Sequence, residues 1–379
     1  MEEESVERVF GPIYPRAFTC DGAVCGSLCC GRWHIPVDAL TRKRWESLPE
    51  SARDEIFGNL SETERGWGMR HGENGNCAFL DGDGLCRLQK KYGEAALSDI
   101  CYSYPRVAYR FDGFVERSLA VSCPVAARLV LLSPAPMTVG WQTLPARRAA
   151  AAIRPPMEAL RWETCLPSIQ LRAVTVLQNR ELSLRQRFLR LGKFFASLEA
   201  RCGSQPPEED AIRRCASDAE ADADAPSVSR AEPLPRLRYM AALIAALYET
   251  EYPADRLEAL ARRVAAIEEA AEEELHARRK DMLENLAVNE FFLRLYPFAC
   301  GGGLLTNFKL FALRFRLAEF SLLLSAAAEG AAPGEETALT MLGRVMERLD
   351  HSRDADNLLR RCTAEDMRGL DAAQAISLL

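Results

Sequence analysis

The chain has 379 residues, of which 48 are basic and 54 acidic, for a formal net charge of -6. A hydrophobic share of 48% with 27% charged residues is that of an ordinary globular chain able to bury a sizeable core. The basic residues form no block, which removes the electrostatic case for a nucleic-acid partner, and the length predicts two domains or three.

The first residues, MEEESVERVF, are acidic and lack an apolar stretch, so no secretory signal is expected and a cytoplasmic location is. From Phe10 to about Leu132 the chain is rich in Cys, Gly, Pro and aromatic residues. VDALTRKRWESL and PESARDEIFGNL read as short helices, with Asp38 expected to cap the helix that starts at Ala39. NGNCAFLDGDGLCRL reads as two strand fragments around Asp-Gly turns, and VAYRFDGFVERSLAV as the better hairpin, turning at Asp112-Gly113.

Beyond Pro134 long helical periods take over: Arg185 to Arg201, Leu237 to Glu249, Pro253 to Val288, Leu304 to Ala328 and Glu335 to Asp350. Leu304 to Ala328 is the longest apolar stretch, but Lys309, Arg314, Arg316 and Glu319 recur in it on helical spacing, so no membrane insertion is expected. Gly203 to Pro235 is acidic and Ala/Pro-rich and reads as a flexible linker. The fold class expected is mainly α: a cysteine-rich, irregular α+β head that binds a metal cluster, then an α-helical domain. The divisions are a head over 1–135, a helical segment over 136–202, the linker over 203–235 and a helical domain over 236–379.

Thirteen cysteines in a reducing compartment point to metal binding or chemistry rather than disulfides. Eight fall in the head: Cys20, Cys25, Cys29, Cys30, Cys77, Cys86, Cys101 and Cys123. The other five, Cys165, Cys202, Cys215, Cys300 and Cys362, stand singly and read as small buried hydrophobes. Thiolates are soft ligands for zinc or iron–sulfur clusters. No C-x2-C pair of the zinc-knuckle kind occurs, and irregular loop-borne spacings suit a 4Fe–4S cube better. Adjacent side chains such as Cys29 and Cys30 usually diverge, and eight thiols are enough for two clusters. The C-x3-C-x2-C signature of radical S-adenosylmethionine enzymes is absent, because position 32 is Arg. Cys123 precedes Pro124, which suits the first helical position, and the helix dipole is expected to lower that thiol's pKa.

CDGAVCGSLCCGRWHIPVD, CAFLDGDGLCRLQKKYGEAALSDICYSYPR and ERSLAVSCPVAARLVLL together resemble the flagellin lysine-N-methylase family, whose head is similar to the YkgJ-type cysteine-cluster proteins. The resemblance continues in VNEFFLRLYPF and in the late helix that ends near His351. It implies methyl transfer from S-adenosylmethionine to lysine ε-amino groups of flagellin, with a 4Fe–4S cluster. The eight head cysteines are the ligands it implies; Tyr102 stands where the family commonly has Arg. A glycine-rich loop of the Rossmann methyltransferases is missing.

Such chemistry needs the neutral amine, although lysine's ordinary pKa is about 10.4. Tyr102, Tyr104 and His34 are the candidates to line the donor or take the amine proton, with a hydrogen-bonded structural imidazole as the alternative for His34. Trp33 either lines the donor or caps the cluster, and Arg106 either grips the donor's carboxylate or forms a structural ion pair. The cluster either chelates the donor or passes an electron, and the second role would need a reductant protein as partner. The reading from another class is a metal-stapled interaction module, zinc or iron–sulfur, without catalysis.

Overall fold

The computed structural model describes residues 6–26, 28–31, 34–64, 66–145, 152–221, 233–248 and 254–379. Its strands are β1 (Val6–Pro12), β2 (Leu60–Thr63), β3 (Gly66–Met69), β4 (Arg106–Arg110), β5 (Val115–Leu119) and β6 (Val139–Pro145). Four of them form one sheet in the order β4-β5-β1-β6, and β2 pairs with β3. The expected hairpin at Asp112-Gly113 is formed, with Arg110 opposite Val115 across β4 and β5. β5 lies parallel to β1, and β1 runs antiparallel to β6.

The other expected hairpin is not a ladder. Only isolated bridges occur there, His71 with Cys77 and Leu80 with Cys86. The Asp81 carboxylate accepts the amides of Asp83 and Leu85 at 3.0 and 2.9 Å, so a local turn satisfies the backbone that a strand pair would have used. The short helices Ala39–Glu46 and Glu50–Gly58 match the sequence reading. Asp38 caps the first by accepting the Thr41 amide at 2.7 Å.

The expected long helices run over Leu184–Cys202, Pro233–Leu247, Ala254–Leu293, Leu304–Glu329 and Glu335–His351. The first starts in a capping box, Ser183 with Gln186. Leu304–Glu329 is the central one and packs on Ala254–Leu293, Leu184–Cys202, Glu335–His351 and Arg353–Glu365. Its charges do not face water. Arg314 meets Glu290 and Asp350, Arg316 meets Glu272 and Glu319, and Lys309 donates to the Met367 carbonyl at 2.9 Å. No described helix is long and apolar enough to cross a membrane.

The stretch 203–235, expected as a linker, is helical over Glu209–Ala221. Ile212, Cys215 and Ala219 are buried, and the helix packs on Leu184–Cys202. The acidic composition hid a single apolar stripe at helical spacing. Residues 222–232 lie outside the described residues.

Two apolar cores result. The smaller gathers Ile35, Val37, Trp45, Ile56, Leu60, Met69, Cys77, Phe79 and Leu88, with Cys30, Cys86 and Cys101 packed against it. The larger runs from Phe10 and Phe18 through Phe111, Leu119 and Cys123 to the helices and Leu379. Residues 1–135 therefore divide between them, because the sheet shares the helices' core. Within it, Gly192 lets three helices close up: a Cβ there would stand 2.5 Å from Phe308 and 2.6 Å from the Ala372 Cβ. Gly192→Ala should lower stability by about 1–3 kcal/mol, read from denaturant unfolding of the full chain.

Glu116 on β5 is buried and accepts from the Gln170 amide at 2.9 Å. Burial pushes its carboxyl up to about 8, against the pull of that hydrogen bond. A raised carboxyl stabilises the fold fully below its ordinary value of 4.5, and the contribution is lost as pH rises through about 8. Wild-type protein should therefore lose denaturant resistance between those limits, and Glu116→Gln should flatten that part of the profile.

Candidate functional site

Seven of the eight head cysteines line one cavity of about 240 Å³: Cys20, Cys25, Cys29, Cys30, Cys77, Cys86 and Cys101. The chain brings them there by short, tightly turned segments. Cys25 ends the turn Gly22–Cys25, and Cys29 and Cys30 close the 3-10 turn Leu28–Cys30. Cys77 donates its amide to the Cys30 carbonyl at 2.7 Å, which fixes the second cysteine block against the first. Cys86 precedes the helix Arg87–Tyr92, and Cys101 lies in Asp99–Ser103, whose first turn Ser98 caps. Contrary to the expected divergence, the Cys29 and Cys30 sulfurs stand 3.9 Å apart. Cys123 is buried at the start of the helix Pro124–Leu131, electrostatically coupled to Cys20.

Burial and the neighbouring sulfurs push most of these thiols up. Cys20 reaches about 11 and Cys101 about 12, burial first in each case. Cys29 moves the other way, lowered to about 7 by the hydrogen bond from Cys30. The lowering expected for Cys123 is not found. The amides of Val125 and Ala126 do pull it down, but burial outweighs them and the net shift is upward.

This donor set is chemically suited to a polynuclear iron–sulfur group. The ligands are soft, several in number and mutually repulsive once ionised, which a multivalent cation relieves. Among the described residues, no three His, Cys, Asp or Glu side chains converge as ligands of a single metal ion.

The other candidates divide. Tyr104 lines the thiol cavity, and its hydroxyl stands 3.1 Å from the Ser122 hydroxyl, which stands 3.2 Å from His351 Nε2. The Tyr104 and His351 rings lie 5.8 Å apart. Burial raises the Tyr104 phenol above its ordinary range, so it stays protonated. Arg106 also lines the cavity but forms a structural ion pair with Glu94 at 3.0 Å, and donates to the Tyr102 carbonyl at 3.1 Å. Tyr102 lies outside the cavity's lining, its ring 5.8 Å from the Arg106 guanidinium. His34 stands apart as well, packed on Gly68 of β3, where a Cβ would come within 2.3 Å of its ring. Trp33 lies outside the described residues.

Sequence reasoning missed Ser122 and did not give His351 a role. Ser122 is the neighbour of Cys123, and His351 is one of only four histidines, which is the signal that was there to use. Ser122→Ala removes the link between Tyr104 and His351 and should cost about 1 kcal/mol of stability by denaturant unfolding.

The family described as "FliB lysine N-methylase C-terminal domain" matches residues 172–378. The "Flagellar biosynthetic protein FliU" of Salmonella muenchen is 34% identical over 136 residues, 34% of this chain and 80% of that protein. Proteins named "Lysine-N-methylase" from Salmonella typhimurium and Salmonella choleraesuis are each 33% identical over 140 residues, 35% of this chain and 35% of the relative. The chain thus aligns with about a third of those two relatives' length. No solved structure matches the chain. Since the family match runs over more than half the sequence, the chain belongs to the FliB lysine N-methylase family.

Proposed function

We propose that this protein transfers the methyl group of S-adenosylmethionine to lysine ε-amino groups of flagellin and depends on a 4Fe–4S cluster held by head thiols. The observation that carries the reading is the meeting, in a chain of this family, of seven thiols around one cavity with the Tyr104–Ser122–His351 chain at its wall. When bound, the cluster would supply a site that orients the methyl donor or tunes it by electron transfer.

The residues of the chain then have distinct tasks. A lysine ammonium must lose one proton, its nitrogen lone pair attacks the methyl carbon, and the carbon–sulfur bond breaks with its electrons left on the donor sulfur. The product is a methylated ammonium, a thioether and one proton. Tyr104 and Ser122 offer a hydroxyl path for that proton towards His351, near the protein surface. Tyr104 also presents a ring to the cationic groups that come together there. Arg106, engaged with Glu94, holds the turn after Cys101 in place.

A metal-stapled interaction module remains as the second reading, and one observation favours it. Cys30, Cys77, Cys86 and Cys101 also pack the small core, so a bound metal would order the head with or without catalysis.

Flagellin incubated with anaerobically purified protein, S-adenosylmethionine and a reductant should gain about 14 Da per modified lysine, by the addition of one CH2, and the protein should be brown. Cys29→Ser and Cys101→Ser should bleach it and abolish the mass gain, whereas Cys202→Ser should do neither. Colourless protein with stoichiometric zinc and no mass gain would leave only the stapled module.

A further inference from the structure

A second cavity, of about 430 Å³, lies behind the thiol cavity and shares the wall formed by Ile100, Tyr104 and Arg106. Asp350 and His351, from the last turn of Glu335–His351, line it together with Tyr109 and Leu293. The cationic side chains in its wall are already engaged. Arg294 pairs with Asp356 at 2.9 Å and Arg106 with Glu94 at 3.0 Å, while Asp99 is held by Arg44 at 2.7 Å.

Asp350 is different. Its side chain is 7% exposed, and its Oδ1 takes an ion pair from Arg314 at 2.5 Å. The same guanidinium also serves Glu290, at 2.5 Å. Two buried carboxylates thus share one cation. The Oδ2 of Asp350 and the Oε2 of Glu290 have no hydrogen-bond partner among the described residues. Burial pushes Glu290 up to about 7, and the Asp350 charge adds to the push. A buried carboxylate oxygen left without a donor costs free energy that an incoming cation returns.

The walls suit one kind of cation. Tyr104 and Tyr109 bring aromatic rings, whose faces attract ammonium groups, and the Tyr109 hydroxyl is turned to the Leu293 carbonyl at 3.2 Å. A slender alkyl chain ending in a primary ammonium would bring an N–H donor and its charge to Asp350 with its methylenes along the rings.

We propose that this second cavity seats a primary alkylammonium group with Asp350 as its counter-ion, and that the group is the substrate lysine waiting beside the thiol cavity. The assignment to lysine rests on the methylase reading; the ammonium site itself does not. The α-ammonium of the methyl donor has the same chemistry, and the shared wall at Tyr104 is what favours the lysine.

The probe is n-butylammonium, with n-butanol as the uncharged control, followed by ligand-observed NMR on the full chain. Wild-type protein should attenuate the n-butylammonium signal and leave n-butanol alone. Asp350→Asn, which keeps the side-chain shape, should lose the effect. Ile153→Trp should lose it as well by filling the cavity from an exposed position, and keeps the argument testable if Asp350→Asn fails to fold. In methyl-transfer assays, Asp350→Asn should raise KM for a lysine peptide about tenfold or more with little change in kcat, as expected for a lost charged hydrogen bond. A rise in the donor's KM instead would keep the ammonium site and overturn its assignment to lysine. Equal n-butylammonium attenuation by wild type and both variants overturns the site. Absence of methyl transfer in wild type with intact n-butylammonium binding would count against the methylase reading alone.

Discussion

The interior is organised around the guanidinium of Arg314. It stands on the central helix and joins Glu290, on the long helix before it, to Asp350, on the helix after it. It also donates to the Leu349 carbonyl at 3.1 Å, at the end of that third helix. A buried guanidinium with so many donors to satisfy admits few arrangements, so the three helices are held at one relative setting. The neighbouring residues carry that setting outwards. Asn289 accepts from Tyr14 near the sheet's first strand, and Leu293 accepts from Tyr109 on β4. The segment VNEFFLRLYPF is therefore the joint between the helical body and the sheet, and through β4 it sets where Tyr104 and Cys101 stand.

Much of this was legible because helical periodicity survives any tertiary arrangement. The long helices, the hairpin at Asp112-Gly113 and the cap at Asp38 follow from local rules, and the cysteines that belong together could be named from their crowding. What the fold does with the charges was not legible. Arg314, Arg316 and Glu319 recur at helical spacing, a pattern identical whether the face meets water or a partner carboxylate on another helix. The same holds for Asp350, which reads as an ordinary surface acid at a helix end until Arg314 and the cavity are brought to it.

Two errors share a physical cause. For Gly203 to Pro235, average composition outweighed a stripe of only Ile212, Cys215 and Ala219, yet that stripe suffices when a large helix is there to receive it. For Cys123, the helix terminus was weighed without the desolvation that accompanies burial, and burial has the larger effect. His34 shows the converse: proximity to Cys30 in sequence does not bring its ring to the thiol cavity, because the extended stretch that pairs Pro36 with Gly68 lays the ring on Gly68 instead.

The sheet has its first strand, β1, paired with β5 and β6, partners more than a hundred residues further along. The fully buried residues of the smaller core, by contrast, all lie between 35 and 88. During synthesis the thiol-bearing loops around Cys77 and Cys86 can therefore take shape while β1 is still waiting, and the sheet closes only once residue 145 has left the ribosome. Under the proposed function, a cluster would have a time window for insertion, after the residue 77–86 loops have formed and before the large core seals Cys123 away.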